Sequence, residues 1–368
     1  MIFIFIIIFF SQTTVKKNDM NLKTLKNQSL CALAISLALY TGSALAKDFT
    51  EDQFASQTLG HGVYELAYDA GQQAIYAASA PSFDKDKTAG EVFLFSTESL
   101  KVDERIATER RPFAVSLDEP NHILWLGNAL DGSLTLLDTR THKEVKMLQL
   151  ADEENKAHVR EVVLDKKHHR LYVSGIGSEN KGVLWVVDTH NQKLLHALKG
   201  MDPVGFAVDE AGDKVYAVTG KGELVTLDGK TSQVLSRVKV DPSEPKHYFL
   251  NIALNTAKGV GFIADTNTAD VLVVQLDSGK IVHRVPTPNS IAAVYNPARN
   301  EVYVTHRNAR QISVIDANTY SLKHTIKTAA MPNSMVLSPD SKTLFVSVKQ
   351  DEKANKADYV LKLDLTQF

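Results

Sequence analysis

Two short stretches of this sequence interleave cations with rings: Arg110, Arg111 and Phe113 in one, and Lys246, His247 and Tyr248 in the other. Groups of this kind neutralise phosphates while bases stack on the rings, which is how single-stranded nucleic acid is held with little sequence preference. Tyr64, Arg160, His306, Arg307 and Lys349 have the same chemistry, and Asn251, Asn289 and Asn333 add amides able to share a ligand. A plainer reading competes: Phe113 and Tyr248 are buried rings behind a rim, and the charges form a solvated face. On the residues alone the plainer reading is the stronger.

Catalytic patterns are poor. Serines at Ser174 and Ser178 have histidines nearby in sequence, but no Gly-x-Ser-x-Gly elbow is present, and a Gly-rich connection between strands explains the stretch. The pair His168-His169 has metal-ligand types, yet adjacent residues of a strand point to opposite faces. No His/Asp cluster stands at ligand spacing. The expectation is no enzymatic activity, no metal and no cofactor.

The elements that must position the candidate residues are short strands. In 289–328 an apolar opener (Ile291 to Tyr295) is followed by a turn at Asn296-Pro297. The alternating run Val302 to Thr305 comes next, then Ile312 to Asp316, then Leu322 to Ile326. Four such strands in about forty residues make one blade of a β-propeller. The unit recurs. Tyr303 has counterparts at Tyr76, Trp125, Tyr172, Tyr216, Phe262 and Phe345, at successive spacings of 49, 47, 44, 46, 41 and 42 residues. Asp316, at the end of the third strand, is matched by Asp138, Asp188, Asp228 and Asp364, with Ser96 and Gln275 at the weaker copies. The aromatics read as core residues and the aspartates as caps of the following turn.

Seven copies predict a single all-β domain, a seven-bladed β-propeller of four-stranded antiparallel blades. The seventh copy lacks a fourth strand, and Gln53 to Leu59 is expected to supply it beside the last strand, removing exposed blade edges. With the first strand of each blade lining the channel, the connections from strand four to one and from two to three share one face. That face gathers the candidate residues named above, together with Glu65, Asn128, His158 and Asp202-Pro203, to which no role is assigned, and forms the expected binding face. The charged loops at 81–90 and 349–358 are the longest insertions.

Processing signals occupy the N-terminus. From Met20, Lys23 and Lys26 precede an apolar stretch from about Leu30 to Leu39 and the small-x-small site Ala44-Leu45-Ala46, a secretory signal. Cleavage after Ala46 is expected to deliver residues 47–368 to the periplasm, with no span in the mature chain. The apolar run MIFIFIIIFF opens residues 1–19, which are expected to be an over-extended reading frame. Cys31 is the only cysteine, so residues 47–368 hold no disulfide, thiol nucleophile or cysteine metal site. Of 41 basic and 43 acidic residues, four lysines and one aspartate fall in 1–46; the remaining 37 and 42 give a net charge of −5. Such a balance does not advertise a polyanion partner, so a nucleic-acid site must be a local patch.

The stretches VYVTHR at 302–307, SVIDA at 313–317 and MPNSMVLSPDSKTLFVSVK at 331–349 resemble YVTN-type repeats. With RRPFAV at 110–115, VREVV at 159–163, YVSGIG at 172–177 and HYFLNIAL at 247–254, the chain from about Gly62 onward is similar to the YncE-like family of such propellers. The resemblance implies a secreted seven-bladed propeller with no established enzymatic activity and a proposed role in binding single-stranded DNA. It brings the nucleic-acid reading level with the plainer one. The expectation is a monomeric, exported binding module whose partner is single-stranded DNA or, alternatively, a protein of the cell envelope.

Overall fold

The computed structural model describes residues 47–84, 86–152, 157–177, 182–244 and 246–368. Segment 1–19 and the expected signal sequence at 20–46 lie outside them. Seven four-stranded antiparallel sheets follow one another at 63–108, 112–149, 158–199, 203–239, 249–286, 292–327 and 331–364, here called blades one to seven. Continuous apolar runs are the local cause: each second and third strand is buried on both faces between neighbouring blades, while the fourth strands of blades one, two, three and five are mostly exposed and those of blades four and six partly so. Among the described residues, no helix is long and apolar enough to cross a membrane.

The repeated aromatics are the wedges between blades. Trp125 packs with Val159 and Trp185 of blade three, Tyr172 with Phe206 of blade four, and Phe345 with Leu66 and Ile75 of blade one. All seven are at most 4% exposed. The third-strand aspartates cap turns as expected: Asp138 accepts from the N–H groups of Arg140 and Thr141, and Asp316 from those of Asn318 and Thr319. Ser96 does the same through its Oγ for Glu98 and Ser99, so the departure keeps the turn. At Gln275 the backbone alone closes it, with Gly279 N–H donating to Gln275 O.

A second ring of caps ends the first strands, on the same face as the third-strand caps and away from the channel-mouth loops. Asp69, Asp165, Asp209, Asn255 and Asn296 each accept from the backbone N–H three residues on. One of these turns corrects the reading of His168 and His169 as strand residues. They lie in the turn between Asp165 and Arg170, where His168 Nδ1 bonds Asp165 and His169 has a left-handed φ of 53°.

The ring closes as the sequence predicts. Ala55–Thr58 pairs antiparallel with Tyr359–Asp364, in the register Ser56↔Leu361, and becomes the outer strand of blade seven. Lys47–Thr50 was not expected to pair. It adds a fifth, parallel strand to the edge of blade six, Phe49 opposite Ile326. Phe49 is buried among Phe54, His324 and Phe368, its ring 4.7 Å from that of Phe368. Tyr359 donates to Glu51 across the same junction at 2.6 Å.

Candidate functional site

The first strands of the blades surround a central cavity of about 410 Å³ that opens on the loop face. Six of the fourteen expected residues line it: Tyr64, Phe113, Arg160, Asn251, Arg307 and Asn333. Tyr64 and Phe113 stack at 4.0 Å with their planes 29° apart. His158 meets Phe113 edge-on at 4.5 Å, and the exposed ring of Phe83 flanks both Tyr64 and Phe113. Burial beside Arg160 pushes the His158 imidazole down to about 4, so it is a neutral ring at pH 7. The Arg160 guanidinium lies 5.9 Å from the Phe113 centroid, and the Lys349 ammonium 3.8 Å from that of Tyr64.

Five other expected residues are structural. Arg111 is buried and donates to the carbonyls of Ser82 and Asp84, pinning the 81–90 loop. His247 is buried between Asp265 and Asp241. His306 is fully buried: its Nδ1 donates to the Asn289 carbonyl, its Nε2 accepts from Ser313, and desolvation lowers it to about 4. Asn289 holds the Thr266 carbonyl, and Lys349 is paired with Asp358 at 3.1 Å beneath Tyr64. The reason is common to them. A polar residue at a blade end is captured by the adjoining loop before it can reach a ligand.

The remaining three sit apart. Arg110 is on the rim, 3.6 Å from Asp131, and Lys246 is exposed. Tyr248 lies against Gly220, where an added Cβ would stand 2.8 Å from its ring, and lines a separate depression with Asp202 and Lys221. The cationic, aromatic face therefore contracts to the channel mouth.

Sequence reasoning missed the floor of the cavity. Glu65 and Glu161 each stand four residues before the Asp that ends their first strand, as Asn251 stands before Asn255. All three reach the next blade: Glu65 accepts from Val115 N–H, Glu161 from Phe206 N–H and Asn251 from Ala293 N–H. The even-numbered blades put Ala114, Gly205 and Ala292 at the matching position, and a Cβ on Gly205 would press on Asn251 and Leu250. Polar and small residues thus alternate around the channel. Desolvation raises both glutamates above the usual carboxylate range; Arg160, 2.9 Å from Glu65, opposes the shift, and Glu65 adds to that of Glu161. The available signal was a charged pair in an apolar first strand, Arg160-Glu161 within VREVV. Among the described residues, no three His, Cys, Asp or Glu side chains are placed to hold a metal ion.

No protein-family profile matches the chain. It is 34% identical over 357 residues to the uncharacterized protein YncE of Salmonella typhi, covering 94% of this chain and the whole of that one. It is 38% identical over 343 residues to the YncE of Escherichia coli K12, covering 89% and 96%. The crystal structure of the Cps50 (Swd1) β-propeller domain of Myceliophteria thermophila matches with a TM-score of 0.65 at 11% identity, over 84% of this chain and 98% of that one. That last likeness is one of fold alone.

Proposed function

Because the chain belongs to the YncE family, whose propeller fold it has, we propose that it is a non-enzymatic binding module that holds single-stranded DNA at its channel mouth. The observation that carries this reading is the Tyr64–Phe113 stack, set at the cavity opening with Arg160 and Arg307 beside it. A base extends that stack, and the arginines meet its phosphates. Cations for the backbone are few. Arg160 and Arg307, with Arg110 on the rim, meet roughly one or two phosphates, giving a shallow salt slope of about −1. Export to the periplasm by residues 20–46 belongs to the same proposal.

The perturbed carboxyls of Glu65 and Glu161 would ordinarily suggest an acid–base pair. Blade five argues otherwise. Asn251 occupies the same repeat position and makes the same bond to the next blade, although an amide cannot titrate. The position is a latch between blades.

Fluorescence anisotropy of a labelled oligothymidine, titrated with residues 47–368, tests the reading. Micromolar binding weakened about 10- to 100-fold by Phe113→Ala is the expected result, a stacking loss of roughly 1–3 kcal/mol. No binding at low salt, or binding indifferent to that substitution, contradicts it. A second reading has its own observation. The loops at 81–90 and 349–358 converge on one depression of about 430 Å³, lined by Phe83, Asp84, Gln350 and Lys356. An envelope protein docking there would be lost to crosslinking when the tip of the 81–90 loop is replaced by Gly-Ser.

A further inference from the structure

The outer edges of the blades differ along the ring. Every fourth strand of blades one to six carries a bulge at the same place, so one residue slips out of the ladder. In blades one and six that residue is Asp103 and Lys323. In the four blades between, it is Val145, Leu195, Leu235 and Val282, all well exposed. Met147, Leu194 and Val234 are exposed on the same strands. A bulge interrupts the edge ladder, and blade six takes its added strand beyond the bulge, at His324–Lys327. In blades two to five the slipped side chains are apolar and exposed, open to a surface that meets them laterally.

Charge identifies that surface. The fourth strands of blades two to five hold seven Lys or Arg residues and one acid, Glu144, in a protein whose residues 47–368 are net acidic. In blades four and five the arginines are already engaged: Arg237 by Glu223, Arg284 by Asp241 and Asp270. Blades two and three keep their positive charge. Lys143 and Lys193 are exposed, among the described residues Lys146 gives its ammonium to the neutral Gln192 carbonyl, and Lys199 stands 3.9 Å from Asp152 with both largely in solvent.

We propose that the outer edges of blades two and three are a membrane-docking patch, with Val145, Met147, Leu194 and Leu195 entering the interface of an anionic bilayer. Lysines beside apolar side chains match such a surface, in which acidic headgroups attract the cations while the apolar groups enter the acyl boundary. A flat bilayer touches only neighbouring blades of a ring, and these two adjoin. The patch is separate from the channel mouth and does not depend on the ligand bound there.

Co-sedimentation of residues 47–368 with vesicles of phosphatidylcholine carrying about a third phosphatidylglycerol tests it. Binding at least tenfold tighter than to pure phosphatidylcholine, and weakened by salt, is expected. The variant V145S/M147S/L194S/L195S should lose at least tenfold, and K143E/K193E should lose the preference for phosphatidylglycerol. All six positions are exposed, so an unchanged thermal melt will show that the fold is intact. Equal binding to both vesicles, or a four-serine variant that binds like the parent, overturns the proposal. Sedimentation velocity covers the other occupant: a dimer abolished by the serines, without vesicle binding, assigns the patch to a second copy and overturns it too.

Discussion

The innermost and outermost strands of this propeller treat polar groups in opposite ways. Inside, polar side chains are spent on the next blade. Glu65, Glu161 and Asn251 each take a backbone N–H from their neighbour; on the second strands behind them, Thr305 and Ser347 give their hydroxyls to the Asn333 and Tyr64 carbonyls. Outside, the fourth strands of blades two to five are bulged and bear exposed valine and leucine at the bulge. The ring is held together from within and around its seam, which leaves the channel mouth and the perimeter for recognition.

That contrast breaks most sharply at the seam. Phe49→Ala removes a buried ring that anchors the N-terminal strand to blade six. A loss of about 3 kcal/mol is expected, or a Tm lower by roughly 4–5 °C for a chain of this size. A change of a degree or two, read by calorimetry, would mean that the parallel strand contributes nothing to closure.

A smaller effect separates latch from titrating group. Both buried glutamates have folded-state values above their unfolded ones, so the stability they contribute is present below about pH 4.5 and lost as pH rises through the raised values. Glu161→Gln keeps an acceptor for Phe206 and cannot ionise. Its Tm difference from the parent should be small at pH 5 and widen in the variant's favour by pH 8.5. A pH-independent offset would refute the burial argument.

The smallest effect is expected outside. Leu235→Ser, on the outer edge of blade four, should change stability by no more than about 0.5 kcal/mol. A large loss would mean that the bulged residues pack against something and are no free surface.

The blades were legible because two markers recur in register: an aromatic such as Tyr303 inside each second strand, and an acceptor such as Asp316 ending each third. Closure by 53–59 followed from counting strands. The parallel pairing of Lys47–Thr50 was not legible, since four residues show no period and their partners, His324–Lys327, are 277 residues away. The site was half legible. Tyr64, Phe113 and Arg160 were placed by repeat position, because the first strand always faces the channel, and Arg307 by its place in the connection from strand two to three. Arg111, His247 and His306 failed because residue type and repeat position do not reveal which loop carbonyl or carboxylate captures a side chain. Glu161 was overlooked for the converse reason: chemically it resembled any surface glutamate, and only its place four residues before Asp165 marked it.

The most direct test of the central claim is to locate the ligand on the protein. An oligonucleotide carrying 5-iodouridine, irradiated with residues 47–368 and mapped by mass spectrometry, should crosslink at Tyr64 or Phe113. Crosslinks confined to the outer strands or to Lys246 and Tyr248 would contradict a channel-mouth site.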